Sequence, residues 1–317
     1  MTICALSTGI GASGVAIIRI SGPETSFLIK SLTNKALPNP REATLLELNN
    51  INNSRPIDKG IVLWFPGPKS YTGEDMAELH VHGSKAVVKE LQETLLSTKK
   101  CRLAEPGEFT KLAFLNGKIN LLQAEAIGDL IAAETEIQME QAQNIIKGKS
   151  FLKFNELREN LIKVLSKIEA KIDFPDEDLP SNVLDDVKKD VSIIENEIKK
   201  ILLSYEVGER IRTGYKIAIV GPPNSGKSTL MNYLSKRNVA IVSDVAGTTR
   251  DVLQTNLNFY GYPVIISDTA GIRDSKDVIE KEGIKLAFEK AEEACLLYTS
   301  DAADEGLGVD LGGRRII

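Results

Sequence analysis

Hydrophobic and polar positions follow a strand-like pattern in the first 118 residues of the chain. Short apolar runs rich in β-branched residues, Val15–Ile20 and Ile61–Phe65, are bounded by glycine, serine or proline, which is typical of strands. Polar and apolar residues alternate over Glu78–His82, and this alternation predicts a third strand. Ala86–Leu96 has the spacing of a helix, so we predict a mixed α/β domain in this part of the chain.

A helical pattern begins after residue 120. Ala, Gln and Glu, which favour helices, dominate Leu122–Ile146. Apolar residues then recur at steps of three and four over Phe154–Ile172 and Leu184–Ile201, on either side of an acidic segment with two prolines (173–180). These patterns predict long antiparallel helices whose apolar stripes pack together as a core.

The last pattern alternates strand, loop and helix. A β-rich run (Tyr215–Val220) precedes a glycine-containing loop (Gly221–Ser228) and a helical segment (Thr229–Lys236), and a second strand follows at Val264–Ser267. This order is typical of an α/β nucleotide-binding domain.

Composition and charge narrow the possible classes of protein. The 317 residues include 39 Lys and Arg against 44 Asp and Glu, a formal net charge of −5. This charge argues against a chain that coats nucleic acid through many phosphate contacts. No apolar run approaches the roughly 18 residues of a membrane span, and the first residues do not resemble a secretory signal. The three cysteines are widely spaced and predict neither a disulfide framework nor a metal site, so we expect a soluble cytoplasmic protein with no membrane association.

Three motifs indicate a binding site for a nucleoside triphosphate. Gly221–Ser228 fits G-x-x-x-x-G-K-[ST], in which backbone N–H groups surround the phosphates, Lys227 reaches the β- and γ-phosphates and Ser228 can bind Mg²⁺. Asp268–Gly271 ends the next predicted strand, where an aspartate can hold Mg²⁺ through water. A threonine of Gly247–Asp251 can bind Mg²⁺ only when the γ-phosphate is present. The order of the three motifs resembles the translation-factor-like GTPases.

Two expected features of a GTPase are absent after these motifs. Ile272 stands where Ras-like switches place a glutamine that orients water, so another polar side chain must do so, with Arg250, Arg273, Asp274 and Glu280 as candidates. No N-K-x-D motif follows Gly271, so we expect the guanine-reading part of the domain to be missing. Residues 295–305 resemble translated sequencing adapter, and we predict that the natural sequence stops near Ala294.

Five further segments carry a specific resemblance over residues 3–294. They are Ser70–Asp75, Leu103–Thr110, Ala113–Lys118, Leu122–Ile127 and Phe174–Glu177. Together with the nucleotide motifs, they closely resemble the MnmE (TrmE) family of tRNA modification GTPases. The resemblance implies an α/β multidomain protein: an N-terminal α+β tetrahydrofolate-binding and dimerisation domain (1–118), an α-helical bundle domain (119–213), an inserted P-loop GTPase domain, incomplete here (214–294), and a suspected non-native tail (295–317).

The resemblance also implies a reaction. With the flavoprotein MnmG, in a heterotetramer, a homodimer of such a protein adds an aminomethyl or carboxymethylaminomethyl group to C5 of the wobble uridine, position 34, of tRNA. The one-carbon unit comes from 5,10-methylene- or 5-formyl-tetrahydrofolate. Hydrolysis of GTP, with Mg²⁺ and K⁺ bound, drives association and opening of the nucleotide domains.

The same resemblance assigns site residues by position. The folate-binding residues are Arg19, Glu78 and Lys118, because cationic groups suit the glutamate carboxylates of folate and a carboxylate suits the N–H donors of the pterin. Glu280 matches the water-orienting glutamate. Ser228 and Thr249 match the Mg²⁺ ligands, and Asn224, Ser243, Val245 and Thr248 match the K⁺ ligands. The nucleotide-binding residues are Asn224, Ser225, Gly226, Lys227, Ser228, Thr229, Ser243, Asp244, Val245, Ala246, Gly247, Thr248, Thr249, Asp268, Thr269, Ala270 and Gly271.

The sequence alone leaves two alternative functions open. An Era- or Der-like GTPase of ribosome assembly would share the nucleotide motifs but gives no reason for the Pro106–Lys118 motif. A fragment that binds folate and dimerises without hydrolysing GTP is the second alternative. His80 and His82 lie two residues apart and could form half of a metal site, but no third ligand is evident. Cys101 is expected to be a small core residue.

Overall fold

The computed structural model describes residues 1–173, 183–220, 227–237, 254–268 and 296–299 of the chain. The chain divides into two compact units, Met1–Ala124 and Glu125–Ile317. Strands and helices alternate in the first unit, and the second contains long helices and a further sheet. The predicted α/β multidomain class is therefore confirmed.

A six-stranded sheet and three helices form most of the first unit. In chain order they are β1 (Thr2–Leu6), β2 (Ser13–Ser21), α1 (Thr25–Thr33), β3 (Thr44–Asn49), β4 (Pro56–Phe65), β5 (Met76–Gly83), α2 (Lys85–Ser97), β6 (Cys101–Leu103) and α3 (Glu108–Leu115). The strand order across the sheet is β3–β4–β5–β2–β1–β6, and only β1 and β6 are parallel neighbours. The three predicted strands lie in β2, β4 and β5, and the predicted helix lies in α2.

The core of this unit lies on one face of the sheet. Ile18 of β2 and Leu79 of β5 are fully buried with Leu28 of α1 and Leu91 of α2. Successive side chains of a strand point to opposite faces. Arg19, which follows Ile18, therefore points away from this core.

The second unit begins with helices. The helices of this part are α4 (Leu121–Ala132), which crosses the boundary between the units, α5 (Glu136–Ile146), α6 (Lys149–Asp173) and α7 (Val183–Thr213). A capping box separates α4 from α5: Thr135 Oγ1 accepts the backbone N–H of Gln138, and the Gln138 side chain accepts that of Thr135. The predicted helical run Leu122–Ile146 is therefore two helices.

The apolar stripes of α6 and α7 are only partly covered. Their buried residues are Leu157, Val164, Val187 and Ile194. Leu161 and Leu165, on the same predicted stripe of α6, are 50% and 53% exposed. The expectation that the stripes pack as core is confirmed for part of their width, because one neighbouring helix covers only part of an apolar face.

A four-stranded sheet follows the helices. Its elements are β7 (Tyr215–Val220), α8 (Lys227–Arg237), β8 (Gln254–Phe259), β9 (Tyr262–Asp268) and β10 (Leu296–Thr299). The strand order is β10–β7–β9–β8, with β7 parallel to both of its neighbours and β8 antiparallel to β9. No helix in the described ranges is long and apolar enough to cross a membrane.

An ion pair at the start of α3 predicts how the stability of the first unit depends on pH. The Glu108 carboxylate accepts hydrogen bonds from Arg102 and, at 2.8 Å, from the backbone N–H of Glu105. These contacts, chiefly the one with Arg102, lower the pKa of Glu108 from 4.5 to about 2. Because the folded-state pKa is the lower one, the carboxylate stabilises the fold above pH 4.5, and this contribution is lost as the pH falls toward 2.

Glu108→Gln is therefore expected to lower the melting temperature of the first unit at pH 7 by about 2–4 °C, and the difference should shrink to nothing near pH 2. Trp64, the sole tryptophan, is buried in β4, so its fluorescence reports this transition. Glu93→Gln is the control, because Glu93 is 62% exposed beside Lys89 at 3.8 Å. Equal melting temperatures for Glu108→Gln and the parent chain at pH 7 would contradict the prediction.

Candidate functional site

Two of the predicted folate-binding residues form an ion pair on the sheet. Arg19 of β2 and Glu78 of β5 are directly opposite in the antiparallel register. Arg19 donates from Nε at 3.0 Å and from Nη2 at 2.7 Å to Oε1 of Glu78. The two side chains are 29% and 16% exposed, so the pair is accessible but largely enclosed.

Aromatic rings enclose the guanidinium group of this pair. The Arg19 Cζ atom lies 5.8 Å from the ring centroid of Tyr71 and 5.7 Å from that of Phe109, within the range of cation–π attraction. The Tyr71 hydroxyl is 2.9 Å from Thr110 Oγ1, which ties the 66–75 loop to α3. Sequence reasoning did not select Tyr71 or Phe109, although both lie in the segments that carry the family resemblance.

The third predicted residue, Lys118, reaches the same loop. Its Nζ donates to the carbonyl oxygen of Pro68 at 2.8 Å. Beside it, Asn116 Nδ2 donates to the carbonyl oxygen of Thr72 at 2.7 Å. Gly73 has a φ of +83°, and a Cβ there would lie 3.4 Å from the side-chain carbons of Lys118, so the close approach suits glycine. Lys118 is thus linked to the ion pair through the loop that carries Tyr71.

A buried polar contact anchors this loop to the sheet. Ser21 of β2 and Thr72 are both fully buried, and their hydroxyl oxygens are 2.7 Å apart. The two hydroxyls satisfy each other, which removes the cost of burying either alone. Residues that are distant in sequence are thereby held around Arg19 and Glu78.

The contact between Arg19 and Glu78 changes how a folate could meet them. The expectation from the sequence placed cationic groups on the glutamate tail of folate and Glu78 on the pterin. Because Arg19 and Glu78 touch, both must meet the same end of a long ligand. One donor group beside one acceptor group matches the carbonyl and N–H edge of a pterin, and the rings of Tyr71 and Phe109 suit a planar heterocycle.

The two histidines have different partners. His80 Nε2 is 3.3 Å from Oε2 of Glu78. His82 Nδ1 is 2.9 Å from Asp58 Oδ1, and its backbone N–H donates to Oδ2 at 2.8 Å. Burial raises the pKa of Asp58, but the hydrogen bonds from His82 and Lys59 outweigh it and the pKa lies below its usual value. Among the described residues, no cluster of three or more His, Cys, Asp or Glu could hold a metal ion.

The prediction that Cys101 is a core residue is confirmed. Cys101 is 4% exposed, and its Sγ lies 3.8 Å from that of the fully buried Cys4. Both thiols are free. The hydrogen bond with Cys101, together with burial, raises the pKa of Cys4, so a thiolate there is disfavoured.

The nucleotide motifs are placed by the backbone of the second sheet. β7 ends at Val220, directly before the phosphate loop, and α8 begins at Lys227. The parallel strand β9 ends at Asp268, opposite Ile219. Both motif loops therefore leave the same edge of the sheet, where the carboxyl ends of parallel strands form ligand sites. The predicted strands Tyr215–Val220 and Val264–Ser267 and the predicted helix Thr229–Lys236 are confirmed, while residues 221–226 of the predicted loop lie outside the described residues.

Most predicted nucleotide residues lie outside the described residues. For Lys227, Ser228 and Asp268 only the backbone is described, while Thr229 is exposed on α8. The remaining predicted residues fall outside the described ranges: Asn224, Ser225, Gly226, Ser243, Asp244, Val245, Ala246, Gly247, Thr248, Thr249, Thr269, Ala270, Gly271 and Glu280. In the suspected tail, Leu296–Thr299 pairs with β7, and the adapter origin of residues 295–317 stays a prediction.

These elements define a class: a multidomain α/β protein with a P-loop type of nucleotide-binding sheet. Residues 2–118 match the family described as GTP-binding protein TrmE N-terminus, and residues 121–310 match the MnmE helical domain. The chain belongs to the MnmE family of tRNA modification GTPases, as the resemblance of its motifs had implied.

Curated relatives carry the same family name. The tRNA modification GTPase MnmE of Pelagibacter ubique (strain HTCC1062) is 65% identical over 296 residues, which cover 93% of this chain and 67% of that protein. The protein of the same name from Rickettsia bellii (strain OSU 85-389) is 45% identical over 316 residues, covering 98% and 71%. A solved GTP-binding protein from Sulfolobus solfataricus, in complex with GDP, has a TM-score of 0.21 and 14% identity over 63% of this chain and 51% of that one, a likeness too weak to support an argument.

Proposed function

We propose that this chain binds a reduced folate and GTP and, together with MnmG, modifies the wobble uridine of tRNA. The observation that carries the proposal is the Arg19–Glu78 pair between Tyr71 and Phe109, inside the region that matches the TrmE N-terminus. This ion pair is largely buried, lies between two aromatic rings and is linked to Lys118. Such an arrangement suits a planar heterocycle with a charged tail.

The described residues fit a reduced folate in three respects. Arg19 offers donors for a pterin carbonyl, and Glu78 accepts from pterin N–H groups. Tyr71 and Phe109 can pack on the ring system. Lys118 supplies a positive charge for a glutamate carboxylate. When bound, 5,10-methylene- or 5-formyl-tetrahydrofolate supplies the one-carbon unit, while these side chains bind and orient it.

The nucleotide site is proposed at the edge where β7 and β9 end. Lys227 would contact the β- and γ-phosphates, and Asp268 lies at the end of the neighbouring strand. We assign Mg²⁺ to Ser228 and Thr249. The K⁺ ligands are proposed as Asn224, Ser243, Val245 and Thr248, since several neutral oxygens suit a large monovalent cation.

The proposed organisation has three domains and a partner. A folate-binding and dimerising domain spans 1–118, a helical domain 119–213 and a GTPase domain 214–294. A homodimer would join MnmG in a heterotetramer that acts on tRNA in the cytoplasm. The basis for these assignments is the family membership, and the relatives' names state only GTPase activity and tRNA modification.

Glu280 is proposed to orient the attacking water, because Ile272 cannot. In a relative whose nucleotide domain is complete, Glu280→Ala is expected to lower GTP turnover about 100-fold while leaving the affinity for a fluorescent GTP analogue unchanged. Glu282→Ala is the neighbouring control, and it should keep the turnover of the parent chain. Unchanged turnover in Glu280→Ala would remove Glu280 from this role.

Two measurements on the 317-residue chain separate the proposal from its alternatives. GTP turnover is compared in KCl and in NaCl at equal ionic strength, and 5-formyl-tetrahydrofolate binding is measured by calorimetry. K⁺-dependent turnover together with folate binding supports the proposal. Turnover without folate binding favours an Era- or Der-like GTPase of ribosome assembly. Folate binding without turnover in either salt favours a binding module.

The tRNA reaction needs a test of its own. The chain is expressed in a bacterial strain that lacks its MnmE protein, and the tRNA nucleosides are analysed by mass spectrometry. Return of the aminomethyl-type modification at the wobble uridine supports the proposed reaction. Its absence, with the chain present and folded, would contradict it.

A further inference from the structure

His80 contacts the second carboxylate oxygen of Glu78 in the proposed folate site. Arg19 binds only Oε1 of Glu78, through both Nε and Nη2. His80 Nε2 lies 3.3 Å from Oε2. An ionised carboxylate has no proton to donate, so Nε2 of His80 must carry the hydrogen of this contact. Each oxygen of Glu78 therefore has its own donor, and the orientation of the carboxylate is fixed on both sides.

The surroundings of His80 leave this contact as its main polar interaction. Ile17 of β2 and Ile61 of β4 flank it across the sheet, and its side chain is 26% exposed. Glu78 is its hydrogen-bond partner.

We propose that His80 is a positioning residue that orients Glu78 for the folate. The inference rests on the proposed folate site. His80 contacts Oε2 and Arg19 contacts Oε1, so the carboxylate keeps one orientation in which its remaining lone pairs accept from the N–H groups of a pterin. Without His80, Glu78 is held at one oxygen only and binds the ligand less well.

The chain offers a matched comparison because it contains only two histidines. His82 lies on the same strand two residues further on, is 73% exposed and pairs with Asp58 instead of Glu78. A loss of affinity that comes from the contact with Glu78 must appear in a His80 variant and be absent from the corresponding His82 variant.

The test measures the affinity of the full chain for 5-formyl-tetrahydrofolate at pH 8. His80→Leu lacks the donor and should bind about three- to tenfold more weakly than the parent chain. His80→Gln keeps a side-chain N–H donor, so it should recover most of this loss. His82→Leu should bind like the parent chain, and the change in Trp64 fluorescence on unfolding shows whether each variant is folded.

The outcomes separate this inference from the proposed site itself. No saturable binding by the folded parent chain would overturn the folate site. Parent-like affinity in folded His80→Leu would overturn the role of His80 alone. An equal loss of affinity in His80→Gln and His80→Leu would also overturn it, because the loss would then not depend on the N–H donor.

Discussion

Arg19→Ala is expected to lower the affinity for 5-formyl-tetrahydrofolate about 100-fold. The substitution removes the donors proposed for the pterin carbonyl, the two hydrogen bonds that hold Glu78 and the cation between Tyr71 and Phe109. Hydrogen bonds to charged groups contribute about 1.5–3 kcal/mol each, and about 1.4 kcal/mol corresponds to a tenfold change in affinity. Glu78 would keep His80 as a partner but lose the group that neutralises its charge.

Two further variants test whether the loss of affinity is specific to the Arg19 side chain. Arg19→Lys keeps the charge but not the two-atom contact, so an intermediate loss of about tenfold is expected. Arg55→Ala removes an arginine of the same unit whose partner is Glu90, at 3.0 Å, and it should bind like the parent chain. The change in Trp64 fluorescence on unfolding shows whether each variant is folded. Parent-like affinity in folded Arg19→Ala would exclude Arg19 from the site.

Gly60→Ala is expected to destabilise the first unit by about 2–4 kcal/mol. Gly60 lies inside β4, paired with Leu46 of β3, and a Cβ at this position would overlap the carbonyl oxygen of His80 and approach Val81 Cγ1 to 3.1 Å. Because the overlapping atom belongs to the backbone of the neighbouring strand β5, the strands β4 and β5 must move apart to make room for the methyl group. The measurement is the denaturant midpoint of the Trp64 fluorescence change.

A second strand glycine provides the control. Gly14 lies in β2 of the same sheet, and a Cβ there would meet nothing within 4 Å. Gly14→Ala should therefore change the free energy of unfolding by less than about 0.5 kcal/mol. Equal midpoints for Gly60→Ala and Gly14→Ala would show that the β4–β5 spacing adapts to the extra methyl group.

Local patterns predict local structure well in this chain. The runs of β-branched residues lie in β2 and β4, and the phosphate loop follows a strand and precedes a helix. The break between α4 and α5 was not predicted, although Thr135 followed by Gln138 fits the capping-box pattern. Each of these features depends on residues within a few positions of one another.

Features that depend on distant residues were not readable in the same way. Tyr71 and Phe109 reach Arg19 from segments 52 and 90 positions further along the chain, and nothing in their local sequence marks that contact. The direct Arg19–Glu78 contact requires the register of β2 against β5. Helical periodicity showed which face of α6 is apolar, but not how much of that face α7 covers.

The central claim is that the Arg19–Glu78 pair, its two aromatic neighbours and Lys118 form a reduced-folate site. Titration calorimetry of the full 317-residue chain with 5-formyl-tetrahydrofolate tests it most directly. The expected result is saturable binding of one ligand per chain, with parent-like affinity in Arg55→Ala and an affinity about 100-fold lower in Arg19→Ala. No saturable binding by a chain whose Trp64 transition shows it to be folded would contradict the claim.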